Sequence, residues 1–274
     1  TGTVDVTVTQ GSESDTLAGA FGYTATSTAW TPADITTATW VKADDAATIT
    51  ESGGLVSQWD DKSGGGFHLQ QATSANQPAT GVQTVSGKNA IEFDGSNDFM
   101  QASSNAFGAG ISDAFVIAVY KVLSISPGTV FSLSGFSSVS NSWQSHAPWS
   151  DGNIYFDVGG NSVPNRVSGA SGFASGDTPI VSWYCSTTDS AQEVQINAVS
   201  LASDASGHSV TPSGGIVLGR GVSGRYQHMA LAEIVIVNGT ISTSDKEKLE
   251  GYLAHEWNLE SQLPAAHPYK SSPP

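Results

Sequence analysis

The chain of 274 residues has few charged side chains and a single cysteine. Charged residues make up 13% of the sequence, about half the share that is usual in soluble proteins. Long amphipathic helices need Glu, Lys and Arg on their exposed faces, so this scarcity argues against a helical fold. Thr, Ser, Gly and Ala dominate instead. Short strands with hydroxyl side chains on their outer faces and glycine-rich turns fit that composition.

Positive charge is especially scarce. Ten Lys and Arg residues stand against 25 Asp and Glu residues, which gives a formal net charge of −15 at pH 7. Such a surface repels phosphate backbones and anionic lipids, so we expect no nucleic-acid partner. No apolar run approaches the roughly 20 residues of a membrane span, so we expect no membrane insertion either. The charge suits a cation or a neutral partner such as a glycan.

The one cysteine, Cys185, stands in the apolar stretch IVSWYC at residues 180–185. An intrachain disulfide is therefore excluded. A thiol in such surroundings is more often a buried core residue than a nucleophile. The lack of disulfides also suits a protein that folds in a reducing cytoplasm before it is released.

Residues 1–26 form a separate segment in the sequence pattern. Two stretches, 4–9 and 19–24, alternate apolar and polar residues on either side of a turn. A two-stranded hairpin is marginally stable alone. The segment resembles the closing hairpin of an immunoglobulin-like IPT/TIG domain, and the alternative is a linker hairpin that joins the main sheet. Because the sequence starts without Met or a signal peptide, we expect it to be processed or cut from a longer chain.

Residues 27–274 read as one domain. Two strongly apolar stretches, 114–120 and 232–237, lie between turn signals and carry β-branched or aromatic residues. Such runs are typical of central strands in a two-sheet core. Residues 244–257 are predicted as the one helix, with an N-cap and an apolar stripe. The expected fold class is all-β: a two-sheet antiparallel sandwich (jelly roll) with one short C-terminal helix.

Four motifs occur in a characteristic order. They are WVKADD (40–45) leading to VSQWDDKSG (56–64), IEFDGSNDF (91–99), PWSDGNIYFD (148–157), and LEGYLAHEWNL (249–259) followed by LP (263–264) and HPY (267–269). Together they resemble the laminin-G-like, concanavalin A-like lectin modules of bacteriophage and bacterial surface proteins. The closing motif is the most specific of the four.

This resemblance implies a function in display. We expect a virion surface protein (capsid decoration, fibre or tail-associated) that presents the sandwich for glycan and host-surface attachment. Its expected partners are a cell-surface glycan or polysaccharide, other virion proteins, and upstream Ig-like domains of the same chain. Two alternatives stay open. One is a carbohydrate-binding or adhesion module of a secreted or cell-surface bacterial protein, and the other is a purely structural decoration without ligand.

The sequence argues against catalysis. Retaining glycoside hydrolases with a sandwich fold carry Glu-x-Asp-x-(x)-Glu on one strand, which points two carboxylates into the cleft. The nearest match, residues 92–97, has Asn97 where the second glutamate would fall. There is no G-x-S-x-G elbow, no P-loop and no zinc-protease helix. We therefore predict that the chain is not an enzyme.

The stretch 141–153 is the candidate glycan-binding loop, because sugar sites combine an aromatic platform with polar partners at the ring edge. The candidate residues are Trp143, His146, Trp149, Asp151 and Asn153. The structural alternative is a packing role in a hairpin, above all for Trp149. A second candidate loop, 220–228, carries two of the few arginines. It would meet an acidic partner or neutralise the acidic surface.

A calcium site is a further expectation, on the loop FDGSNDF (93–99). Its oxygen-bearing side chains Asp94, Asn97 and Asp98 are the hard ligands that calcium prefers. The alternative is that the carboxylates accept hydrogen bonds from the backbone of the loop.

Overall fold

The computed structural model describes residues 2–23, 29–136 and 138–274. It divides into two units, residues 1–30 and 31–274. The smaller unit is an antiparallel hairpin of β1 (Gly2–Gln10) and β2 (Glu13–Tyr23), in which Val8 pairs with Asp15. Its second strand ends before the segment 24–28, which lies outside the described residues.

The larger unit contains nineteen strands and one α-helix among its described residues. The strands are β3 (Thr39–Lys42), β4 (Ile49–Ser52), β5 (Leu55–Trp59), β6 (Leu69–Gln70), β7 (Ala79–Val85), β8 (Lys88–Asp94), β9 (Met100–Ala102), β10 (Asp113–Val122), β11 (Phe131–Ser132), β12 (Trp143–His146), β13 (Asn153–Val158), β14 (Arg166–Ala170), β15 (Ile180–Ser186), β16 (Ala191–Ile196), β17 (Val199–Asp204), β18 (Val217–Leu218), β19 (Arg220–Gly221), β20 (Arg225–Tyr226) and β21 (His228–Asn238). The helix is α1 (Thr243–Glu256). Short 3-10 turns cover Pro32–Asp34, Ala46–Thr48, Ser74–Asn76, Val139–Asn141 and Glu260–Gln262. No helix in this part of the chain has both the length and the apolar character needed to cross a membrane.

Antiparallel pairing links seventeen of these strands into one continuous sheet, and the short β19–β20 hairpin forms its own. The long strands β10 and β21 lie side by side near its centre, as their apolar sequences predict. β15 flanks β10 on its other edge, and β3 and β8 flank β21. The expected all-β fold with one helix near its end is confirmed. Its finer division into two sheets does not appear in the pairing, which runs without a break.

The core lies where the sheet turns back on itself. Phe131 on β11 contacts Trp183 on β15 with ring centroids 4.9 Å apart, although these two strands share no hydrogen bonds. Trp143 and Phe156, on the neighbouring strands β12 and β13, add a second ring contact at 4.7 Å. All four side chains are fully buried. Truncating a buried aromatic of this kind costs about 3–5 kcal/mol, so this cluster anchors the fold. Cys185 is also buried, as predicted, and burial raises its pKa to about 11.

The opposite face of β10 and β21 is covered by α1. The helix begins after Ser242, whose hydroxyl accepts a hydrogen bond from the Asp245 N–H at 3.0 Å. Leu249 and Leu253 are fully buried on its inner side. The predicted helix, 244–257, agrees with the observed bounds to within one residue at each end.

The C-terminal segment packs over the helix. A Cβ atom at Gly251 would lie 2.3 Å from Cβ of Tyr269, so only glycine allows the tyrosine to rest against the helix there. His267 and Glu250 form a buried contact between Nε2 and Oε2 at 3.2 Å. The closing sequence motif is therefore a packing unit in which helix and tail fit together.

Candidate functional site

The predicted loop 141–153 is largely a β-hairpin, formed by β12, a turn at 147–152, and β13. Alternation along these strands divides their side chains between two faces. Trp143 points into the core and is 0% exposed, between Phe131 and Phe156. The expectation that Trp143 contacts a glycan is therefore corrected: its side chain is a core residue. His146 lies on the other face.

That outer face holds a pocket of about 290 Å³. Its walls come from the outward-facing positions of β12, β13 and β14, from the turn at Trp149, and from the β19–β20 hairpin. The lining side chains include Gln144, His146, Trp149, Tyr155, Asp157, Arg166 and Arg225. The two loops singled out in the sequence thus meet at one site, because the second loop contributes Arg225.

A buried ion pair forms the floor of the pocket. Asp157 is 0% exposed, and Arg166 directly opposite on β14 donates from Nε and Nη2 to its two carboxylate oxygens, the latter bond being 2.7 Å long. The guanidinium also lies 4.4 Å from the centre of the Tyr155 ring. A buried carboxylate without a partner is costly, whereas this bidentate arrangement compensates its charge and fixes both side chains.

His146 is held above this pair in a defined orientation. Its Nδ1 lies 2.6 Å from the Gly128 carbonyl oxygen, so we assign the ring proton to Nδ1 and the lone pair to Nε2. Nε2 lies 3.7 Å from the Asp157 carboxylate and 3.5 Å from the Gln144 amide nitrogen. Burial lowers the pKa of His146 below its ordinary value of 6.5. The ring is therefore neutral at pH 7 and presents an acceptor to the pocket.

Trp149 supplies the aromatic wall. It is half-buried, and its ring centroid lies 4.7 Å from that of His146, edge to face. The Arg225 guanidinium lies 5.2 Å from the same indole. The predicted residues Asp151 and Asn153 sit beside the pocket and not in its lining. Asp151 accepts hydrogen bonds from Tyr155 Oη (2.6 Å) and the Asn153 N–H (2.9 Å), which hold the pKa of its carboxyl below the ordinary range.

Four pocket residues were not among the predicted glycan-binding residues: Gln144, Tyr155, Asp157 and Arg166. One signal for them exists. In β13 the apolar residues Ile154, Phe156 and Val158 alternate with Tyr155 and Asp157, a pattern that predicts a face on which polar side chains gather. The pairing of Asp157 with Arg166 depends on strand register, which the sequence pattern does not specify.

The expected calcium ligands are engaged with their own loop. Asp94 Oδ1 accepts hydrogen bonds from the backbone N–H groups of Ser96 and Asn97 at 2.8 and 3.1 Å. Asp98 Oδ2 accepts from the Asp94 N–H at 3.0 Å, and the Asn97 amide donates to the Ala75 carbonyl at 2.7 Å. The described residues contain no group of three or more His, Cys, Asp or Glu side chains placed to hold a metal. These hydrogen bonds give each of the three side chains a partner within the fold, and the calcium site stays a prediction.

Comparison with known proteins gives structural likeness only. No protein-family model matches the chain, and no curated protein matches it. Solved structures that resemble it include a Trypanosoma rangeli sialidase in complex with 2,3-difluorosialic acid, with 12% identity, a TM-score of 0.53, and coverage of 80% of this chain and 32% of the sialidase. A SAP-like pentraxin from Limulus polyphemus matches with 16% identity, a TM-score of 0.43, and coverage of 58% and 80%. A Ruminococcus gnavus sialidase CBM40 bound to sialyllactose matches with 10% identity, a TM-score of 0.41, and coverage of 49% and 80%.

The prediction that the chain is not an enzyme is contradicted by these neighbours, since sialidases are enzymes. The missing second glutamate therefore gives no ground for excluding activity in this fold. The chain spans about a third of the length of the T. rangeli sialidase. At this level of identity the likeness shows a shared fold, and it assigns no residue a role.

Proposed function

We propose that the chain binds a glycan in the pocket on the outer face of β12, β13 and β14. One observation carries this proposal: the half-buried indole of Trp149 stands beside the neutral, buried acceptor of His146 in a cavity of about 290 Å³. Small-ligand sites combine such an aromatic wall with a few convergent polar groups. Most of these groups are on strands, so their positions are set by the sheet.

Each side chain has a distinct part in this proposal. The indole of Trp149 packs against the C–H face of a sugar ring. Nε2 of His146 accepts a hydrogen bond from a sugar hydroxyl, and the Asp157–Arg166 pair, which carries no net charge, offers further polar atoms from the floor. Such a site is small, and its binding is weak for a single copy; arrays of copies gain affinity through multivalency.

We propose that the continuous sheet is a two-sheet, lectin-like jelly roll whose parts face each other across the aromatic core. The contact between Phe131 and Trp183 supports this, since strands that share no hydrogen bonds meet ring to ring. We also propose that the β1–β2 hairpin is the closing hairpin of an IPT/TIG Ig-like domain, for which the sequence resemblance is the support.

We propose that the chain lies on an extracellular surface. Its closing motif, LEGYLAHEWNL with LP and HPY, supports a virion surface protein, and a bacterial cell-surface or secreted module is the alternative. The sequence of the complete gene separates these two. A signal peptide or cell-wall sorting signal would exclude the virion assignment, and neighbouring capsid or tail genes would support it.

Glycan binding is tested on an array of neutral and acidic glycans, with the protein displayed multivalently on beads and each signal confirmed by calorimetry. Trp149→Ala is expected to weaken binding at least tenfold. Tyr184→Ala is the matched control, because it also removes a half-buried aromatic side chain, but from β15. Bound glycans are recovered and weighed by mass spectrometry, so that cleavage is detected. Absence of binding to every glycan, or equal loss in both variants, would contradict the proposal and favour a structural decoration.

A further inference from the structure

The arginines of this chain are concentrated at one place. There are three, and two of them, Arg166 and Arg225, line the pocket. The third, Arg220, belongs to the same β19–β20 hairpin as Arg225. Its guanidinium lies 3.9 Å from the centre of the Phe136 ring. A chain with a net charge of −15 thus places two of its three arginines in the lining of the proposed glycan pocket.

The lysines show a different distribution. Five of the seven pair with carboxylates: Lys42 and Lys88 with Glu256, Lys62 with Asp45, Lys246 with Glu193, and Lys248 with Asp245. Lys121 contacts the Gln83 amide, and Lys270 donates to backbone carbonyls at the end of the chain. Most of the positive charge outside the pocket is therefore neutralised within the fold.

Arg225 differs from those lysines. Within residues 29–136 and 138–274 it forms no ion pair, and its guanidinium lies over the Trp149 ring. Its side chain is exposed at the rim. Stacking on an aromatic face orients the guanidinium plane and leaves its N–H edge free for a bidentate acceptor. The ring thus holds the charge in place without neutralising it.

The remaining groups of the pocket leave that charge uncompensated. Asp157 is neutralised by Arg166, from which it accepts two hydrogen bonds. His146 is uncharged at neutral pH. Asp151 stands beside the lining, where it accepts hydrogen bonds from the neutral Tyr155 hydroxyl and Asn153 N–H, and within the described residues it forms no ion pair with Arg225. The lining therefore carries one net positive unit inside a strongly negative protein.

We infer that the ligand of this pocket is an acidic carbohydrate, and that its carboxylate or sulfate group pairs with Arg225 while its ring packs on Trp149. The inference rests on the proposed glycan-binding function and adds the charge of the sugar. It also gives a role to Arg225, which forms no ion pair within the described residues. A neutral sugar would leave Arg225 without an anionic partner there, whereas an acidic one forms a charge-assisted, bidentate contact.

The test compares carboxylated oligosaccharides with their methyl esters, which lack the negative charge and carry one added methyl group, and includes sulfated oligosaccharides as a third set. We expect the acids to bind at least tenfold more tightly than the esters. We also expect this preference to shrink as NaCl is raised from 50 to 500 mM, because salt screens an exposed ion pair. Comparison of the carboxylated and sulfated sets identifies which anion the site takes.

Substitutions then assign the preference to Arg225. Arg225→Gln is expected to abolish the preference for acids, and Arg225→Lys to retain part of it, because lysine keeps the charge but not the planar fork. Lys121→Gln is the control, since it removes one positive charge that does not line the pocket and should leave the preference intact. If esters and acids bind equally and Trp149→Ala abolishes both, the inference fails while the proposed function stands. If no oligosaccharide binds, the proposed function itself fails.

Discussion

Among the described residues two carboxylates have no exposed surface, and they lie in different surroundings. Asp157 on β13 faces an arginine at the floor of an open pocket, whereas Glu233 on β21 lies beneath α1. Glu233 accepts hydrogen bonds from three neutral donors: Trp40 Nε1 at 2.6 Å, Trp257 Nε1 at 2.8 Å and Tyr252 Oη at 3.1 Å. One carboxylate is compensated by a direct ion pair, the other by hydrogen bonds from neutral donors with Lys42 on the neighbouring strand.

The two buried carboxylates, Glu233 and Asp157, have different roles. Burial raises the pKa of Glu233 to about 7 in spite of its hydrogen bonds from the two tryptophans. Its three donors belong to β3, α1 and the end of that helix, so the carboxylate ties the helix to the sheet. Asp157 instead holds Arg166 at a surface where a ligand can reach it. The first is a structural junction, and the second belongs to the pocket for which we propose glycan binding.

The largest expected effect breaks the junction. Glu233→Ala leaves two indole N–H groups and one phenol without their acceptor in a closed layer, which should lower the free energy of unfolding by about 4 kcal/mol. Urea denaturation followed by tryptophan fluorescence measures this change. The control is Glu92→Ala, whose side chain is partly exposed and 3.7 Å from His228. A loss below about 1 kcal/mol in Glu233→Ala would refute the junction.

The next effect concerns the pocket pair. Arg166→Met leaves the buried Asp157 charge uncompensated, and we expect a loss of about 2 kcal/mol, because the arginine side chain is 24% exposed and water reaches the site when it is removed. The double variant Asp157→Asn, Arg166→Met should recover most of this loss, since it removes both charges. A double-mutant cycle in urea measures the coupling. Additive losses would show that the pair is not coupled.

The third effect is the pH dependence of the junction. The folded protein holds a proton on Glu233 more tightly than the unfolded chain, where the ordinary value is 4.5. The resulting stabilisation is complete below pH 4.5 and is lost as pH rises through about 7. Glu233→Gln cannot titrate. The stability of the wild type minus that of this variant should therefore fall by on the order of 2 kcal/mol between pH 5 and pH 8.

The stability of Glu233→Gln is subtracted from that of the wild type because other groups titrate in the same pH range. Burial raises the pKa of Glu250 to about 7, which adds to the loss on raising pH, whereas the lowered pKa of His267 acts in the opposite direction below 6.5. Both contributions are common to wild type and variant, so they cancel. If the stability of the wild type minus that of Glu233→Gln does not change with pH, the raised pKa of Glu233 is contradicted.

Much of the fold follows from local patterns in the sequence, and much of the site does not. The runs at 114–120 and 232–237 are central strands, and the helix falls where its cap and apolar stripe place it. Composition singled out Trp149 and His146, and both side chains line one pocket. Trp143 was misplaced, because counting aromatic residues in a stretch ignores the two faces of a strand.

The features that the sequence pattern did not predict depend on contacts between segments that are distant in the chain. Arg166 meets Asp157 only through the register of β13 and β14, and Trp40 reaches Glu233 from 193 positions away. A glutamate inside an apolar strand signals that some partner exists. It does not say which one, since donors from anywhere in the chain satisfy it equally.

The pocket joins two hairpins that are separate in the chain, and this has a consequence for how specificity can change. Trp149 and His146 belong to the β12–β13 hairpin, whereas Arg225 comes from the short β19–β20 hairpin. The aromatic wall and the charge thus come from different hairpins, although Arg225 lies against the Trp149 ring. Under the proposed function, exchange of the short hairpin would change the charge offered to a ligand while Trp149 and His146 stay on the other hairpin.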